Sequence, residues 1–300
     1  MYKAIAGRAI AAVGIGLGLA AIWTEVITIS GRDVHVKYSE DGTVMAYLLV
    51  TLVAATVLLQ VSFAGLRRLD GVAAVVGAAA FGYLLYIPTG FSPDHLGYIG
   101  TGGWLGLCTV LIPIGAWMAR VAERSGPPAR KKPPPLPALA VGSGLALCLA
   151  GIWLPAEHDP GVGNVTVWDF GYSISRPGDS GHPIGILLLI LIGLLAILVL
   201  TSVSGLLPQA ADLGLIVAAA TFGLAEALVI GKAFNHLGSL RVGAWLMTAG
   251  GVILLAGVCW LRAAEQAKAP KAAAKPAARA TARPAPKAKS KPTATRKPRR

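Results

Sequence analysis

Glu226 is the side chain in this sequence best placed to do chemistry. It stands in an apolar run, 222–230, six residues before Lys232. A charge near the centre of a bilayer costs about 2.5–3.5 kcal/mol on insertion scales. An acid in such a run is therefore expected to face a helix bundle, paired or protonated. That setting suits a proton or cation site, and it equally suits a hydrogen bond between helices. His95 and His236 each precede Leu-Gly and follow Asp94 or Asn235. Matched imidazoles can bind a transition metal or sense pH. The plainer expectation is a ring bonded to loop backbone, because no His-x-His or His-Glu-x-x-His spacing occurs. Asp159, Asp169 and Asp179 are spread along a turn-rich loop, and Glu25 reads as an interfacial carboxylate. No Walker A, Gly-x-Ser-x-Gly, Rossmann or kinase pattern is present. The chain is expected to be no enzyme and to hold no metal or cofactor.

The other chemistry is charge. Residues 263–300 carry Lys268, Lys271, Lys275, Arg279, Arg283, Lys287, Lys289, Lys291, Arg296, Lys297, Arg299 and Arg300 against Glu265 alone, a net +11. The whole 300-residue chain carries +13, which leaves +2 for residues 1–262. Six prolines interrupt Ala-rich runs there, and no side chain is large enough to build a core. The segment is expected to be disordered. It is similar in composition to linker-histone tails and their bacterial relatives, which implies binding to nucleic-acid backbones without sequence choice. Anionic lipid headgroups are the nearer partner, at about 1 kcal/mol per basic residue close to the surface. No aromatic side chain is present for base stacking.

What holds these groups is a membrane domain. Of all residues, 55% are hydrophobic and only 14% charged, with a mean hydropathy of +0.65. Soluble domains average about 25% charged, so a soluble globule is excluded. Apolar runs of spanning length fall at 9–29, 44–65, 71–90, 103–121, 138–155, 184–205, 212–231 and 243–261. These predict eight helices, the only sensible form for such runs in lipid. The first reads as an uncleaved anchor, since no small-x-small cleavage site follows it. Cys108, Cys148 and Cys259 lie in apolar runs and read as buried hydrophobes. With the N-terminus inside, ten basic residues before the tail face inward (Lys3, Arg8, Arg67, Arg68, Arg120, Arg124, Arg130, Lys131, Lys132, Arg262) and five outward. The positive-inside rule then puts both termini in the cytoplasm.

An internal repeat orders the spans. Phe81-Gly82 matches Phe222-Gly223, His95-Leu96-Gly97 matches His236-Leu237-Gly238, and Gly102-x-Trp104-Leu105 matches Gly243-x-Trp245-Leu246, all at an offset of 141. Ala20-Ala21-Ile22-Trp23 matches Ala150-Gly151-Ile152-Trp153 at 130. The chain is thus expected to be an all-α polytopic membrane protein of two parallel four-helix units, 1–124 and 138–262. A Pro-rich basic linker, 125–137, joins them, and 263–300 is the tail. Alternation in 34–38 and 164–174 predicts short strands outside the membrane, with pairing between the two units. Gly14-x-x-x-Gly18 permits close helix approach.

The exit Gly151-Ile152-Trp153-Leu154-Pro155, followed by a strand-like loop, resembles uncharacterised bacterial four-helix membrane proteins. The resemblance covers the first half of each unit, although Leu-Pro is missing after Trp23. It implies the architecture and no activity. The functional expectation is a non-enzymatic scaffold or anchor of the bacterial inner membrane, with the tail on anionic lipid or nucleic acid and self-association as a further contact. The alternative is a small-solute, ion or proton transporter with Glu226 in its path.

Overall fold

The computed structural model describes residues 2–29, 34–64, 69–86, 98–123, 135–159, 161, 163–171, 183–204, 206 and 209–267. The chain divides at residue 268. The twelve basic tail residues, His95 and His182, and most of the 125–137 linker lie outside the described residues.

The described chain is almost wholly helical: α1 (Tyr2–Trp23), α2 (Gly42–Phe63), α3 (Asp70–Leu84), α4 (Thr101–Leu107), α5 (Leu111–Glu123), α6 (Pro135–Trp153), α7 (Pro183–Ser204), α8 (Ala210–His236) and α9 (Val242–Ala267). A short 3₁₀ turn joins α4 to α5, so the two cross as one rod. Pro113 accounts for the break: it has no N–H to give, and its ring crowds the carbonyl four residues back. Seven helices are long and apolar enough to cross a membrane, and α3 is shorter, with 15 residues. Ile186, Ile190, Leu194 and Ile197 form an exposed row down α7. Such an apolar face suits lipid and would be a liability in water.

Two expected boundaries move. The first helix begins at Tyr2 and ends at Trp23, and Glu25–Ile29 is β1. β1 pairs antiparallel with β2 (Val34–Lys37). In the second half β3 (Pro155–Asp159) pairs with β4 (Gly163–Thr166). Each loop therefore folds on itself, and the expected pairing between loops does not occur. A partner a few residues away costs less closure entropy than one in the other half of the chain. Both hairpins carry an irregularity early in the first strand, at Glu25/Ile27 and at Pro155/Glu157. Each is tied to the residues entering a later helix: Gly100 N–H donates to Val26 O, and Arg241 N–H to Ala156 O, both at 2.8 Å. The second moved boundary is α6, which starts at Pro135 rather than 138. Proline is tolerated in a first helical turn, where its missing N–H has no intrahelical partner.

Glycines set the helix contacts. α1 lies against α5 through Gly7, Gly14 and Gly115, and Gly18 meets Thr109 and Leu52. The Gly14-x-x-x-Gly18 spacing thus marks a real approach. In the same way α6 lies on α9 through Gly144, Gly151, Gly250 and Gly257. Between the halves, α3 crosses α8. A Cβ on Gly82 would strike the Ala220 carbonyl, and one on Gly223 the Ala79 carbonyl.

Trp23, Trp104, Trp153 and Trp245 are all about half exposed and all sit beside the hairpins. Amphipathic indoles of this kind collect at a membrane interface. This is the tryptophan end. The opposite end carries Arg8, Arg120 and Arg262.

Candidate functional site

At the arginine end, charges meet inside the bundle. Arg8 enters from α1 and is 6% exposed; Asp70 begins α3 and is fully buried. Arg8 Nε donates to Asp70 Oδ1 at 3.1 Å and Nη2 to Oδ2 at 2.6 Å. That is a two-pronged, charge-assisted pair. Nη2 also donates to Glu123 Oε1 at 2.9 Å, at the close of α5. The guanidinium lies 5.2 Å from the centroid of Phe63, the last residue of α2. One arginine thereby fastens four helix ends. Asp70 is further favoured by the positive end of the α3 dipole.

A second group lies alongside. Asp212, in the first turn of α8, is 2.9 Å from Arg262 Nε on α9 and 3.4 Å from Arg120 Nη2 on α5. Both guanidiniums press on Gly71: a Cβ there would overlap Arg120 and stand 2.9 Å from Arg262. Helices from both halves of the chain are joined by this contact. The sequence reading had used Arg8, Arg120 and Arg262 only as topology charges and had given Asp70 and Asp212 no role. A signal was available, because Asp70/Asp212 and Arg120/Arg262 share a single offset, 142.

Glu226 lies near the other end. It is fourteen residues along α8 from Asp212, about 21 Å at 1.5 Å per residue. Trp245 is seventeen residues from Arg262 on α9, about 26 Å. The carboxylate therefore sits close to the tryptophan level, and the expected place at the bilayer centre is corrected. It is buried at 8% exposure, and its Oε1 has no hydrogen-bond partner among the described residues. Thr248 of α9 faces it, yet the Thr248 hydroxyl also lacks a bond of good geometry. Tyr47 of α2 lies within electrostatic reach and stacks on Tyr83 of α3, centroids 4.2 Å apart. The neighbours of Glu226 divide between two cores. Ala227 packs with Leu48, Leu52 and Leu84, and Ala225 and Leu228 pack with Ile152 and Met247.

The hairpins hold the remaining candidates. Glu25 opens β1, outside the helix, and its Oε2 is 3.1 Å from His35 Nδ1. His158 Nδ1 is 3.0 Å from Asn164 Oδ1 across the second hairpin. Asp169 accepts from the Thr166 hydroxyl at 2.6 Å in a local turn. Tyr38 is buried under the first hairpin, and burial pushes its phenol above the usual range. The backbone of His236 closes α8, while its side chain lies outside the described residues. Among the described residues, no three of His, Cys, Asp and Glu gather as metal ligands would.

No protein-family model, curated protein or solved structure matches this chain. Function is therefore argued from its own residues.

Proposed function

We propose that the chain is a bacterial inner-membrane protein of eight spanning helices in two parallel four-helix units. In this reading it is a non-enzymatic anchor whose basic tail holds an anionic surface against the cytoplasmic side. The observation that carries it is the partition of charge: +11 falls in the last 38 residues and +2 in the other 262. Topology alone needs far fewer charges than twelve. The unit reading draws support from the reciprocal Gly82/Gly223 contact and from hairpins tied at Gly100 and Arg241, which are 141 residues apart. The anchor reading draws support from α9, which leads to the tail and is fixed near its end by Arg262 on Asp212.

The test compares the full chain with one ending at Ala267, each reconstituted in neutral lipid. Binding of anionic vesicles and of duplex DNA is titrated against salt. The full chain is expected to bind anionic vesicles and to lose them steeply as salt rises, through counterion release. Tighter binding of DNA than of vesicles would move the partner to nucleic acid. Equal binding by the truncated chain would overturn the anchor.

A second reading is a cation- or proton-linked membrane function at Glu226. The observation that favours it is the buried Oε1 with no partner. Intramembrane acids in that state are costly unless they serve a purpose. Proton flux into liposomes, abolished by Glu226→Gln, is its test.

A further inference from the structure

We propose that Glu226 is a reversible proton-binding site, entered from the tryptophan end through the cavity beside Glu157. This rests on the second reading and deepens it by naming the ligand and its entrance.

The cavity lies between β3, α8 and α9, where Glu157, Ala225, Val229, Ala244 and Met247 are part of its wall. Ala225 directly precedes Glu226, and Met247 directly precedes Thr248. The space thus runs alongside the acid and its facing hydroxyl. Glu157 is the one charged residue in the wall. It belongs to the hairpin and stands at the outer, wet side.

Size decides the ligand. The cavity has room for about one water. Neither a hydrated metal ion nor an organic solute fits, but a proton passed along one water does. The donor set agrees. A sodium ion needs several oxygens, and the described partners of Glu226 supply one hydroxyl, that of Thr248. The titratable groups around it are Tyr47 from α2 and Tyr83 stacked on Tyr47, with Tyr86 just past α3 facing Glu157. Among the described side chains no cation pairs with Glu226, so the proton is the charge that neutralises it. Leu85 stands at the matching place in the other half, which makes one site per chain.

Infrared spectroscopy of the full chain in liposomes tests this. The C=O stretch of a protonated carboxyl is followed with pH and assigned by its loss in Glu226→Gln. The band is expected at about pH 6 and lost by about pH 9, since buried acids titrate in that range. A band that is absent throughout, or that never changes, overturns the proposal. Its loss on adding sodium at fixed pH also overturns it, in favour of a sodium site. The entrance is read from the rate at which the same band shifts in deuterated water. Ala244→Phe fills the cavity and is expected to slow that exchange at least tenfold. An unchanged rate in a variant with wild-type thermal unfolding overturns the entrance. Proton flux is measured separately. A titrating band without flux removes the transport reading and leaves the site, whereas flux without a titrating band does the reverse.

Discussion

Gly82 and Gly223 sit at one crossing, each against the other's helix. Gly82 of α3 meets the Ala220 carbonyl, and Gly223 of α8 meets that of Ala79. Ala79 and Ala220 are themselves 141 residues apart, as are the two glycines. The contact is therefore reciprocal, as across a two-fold axis. Without methyls the backbones approach closely, which is how helices associate where lipid is as apolar as their side chains. Either Gly82→Ala or Gly223→Ala is expected to cost about 1–3 kcal/mol by overpacking. The double variant should cost less than the sum, because the first change already parts the helices. Thermal unfolding in detergent measures all three, and strict additivity would mean that the two glycines do not share one contact.

Arg8 and Asp70 make the most enclosed ion pair described. Removing one partner of a buried pair costs about 3–5 kcal/mol, because the other charge is left without compensation. Asp70→Asn is expected to fall in that range. Arg8→Met with Asp70→Leu should recover most of the loss, since an apolar pair of similar volume leaves no charge stranded. Glu123 limits the recovery, because it also accepts from Arg8. Unfolding midpoints in one detergent at one pH decide the order. A double variant worse than Asp70→Asn would show that the pair gives more than it costs.

How far these features were legible differs by residue. Spanning helices follow from apolar length alone, so most were readable. Val26, Ile27 and Ile29 extend the first apolar run, and a short apolar run cannot tell helix from strand. Glu25 is the mark at which the helix had already ended. Arg8 lies in sequence where topology charges lie, and its partner is 62 residues away. Only packing brings them together. Glu226 was found, but its depth was misjudged, because α8 runs on to His236 and the apolar run does not.

Asp212 gathers two arginines from different halves of the chain, and Gly71 makes room for them. Gly71→Ala is expected to push the Arg120 guanidinium aside and to cost about 1–3 kcal/mol. Asp212→Asn leaves two guanidiniums facing each other and should cost more. Cysteines at Ala74 of α3 and Leu215 of α8 line the same small cavity. Their crosslinking rate, in a chain cleared of native cysteines, reports whether the halves part. Asp212→Asn is expected to lower that rate, and an unchanged rate would confine the effect to the side chains.

The orientation proposed from Lys/Arg placement has its own check. Asn164, on β4, is exposed at the hairpin end, whereas Leu206 is 73% exposed near the arginine end. Single cysteines at each, again in a chain cleared of Cys108, Cys148 and Cys259, are offered a membrane-impermeant maleimide on intact spheroplasts. Asn164→Cys is expected to label without permeabilisation, and Leu206→Cys only after it. α7 and α8, which flank Leu206, return the chain to the tryptophan end, so the two labels cannot share a side unless a helix fails to cross. The reverse pattern would invert the whole bundle and place the basic tail outside, where the anchor proposed for it has no cytoplasmic partner to hold.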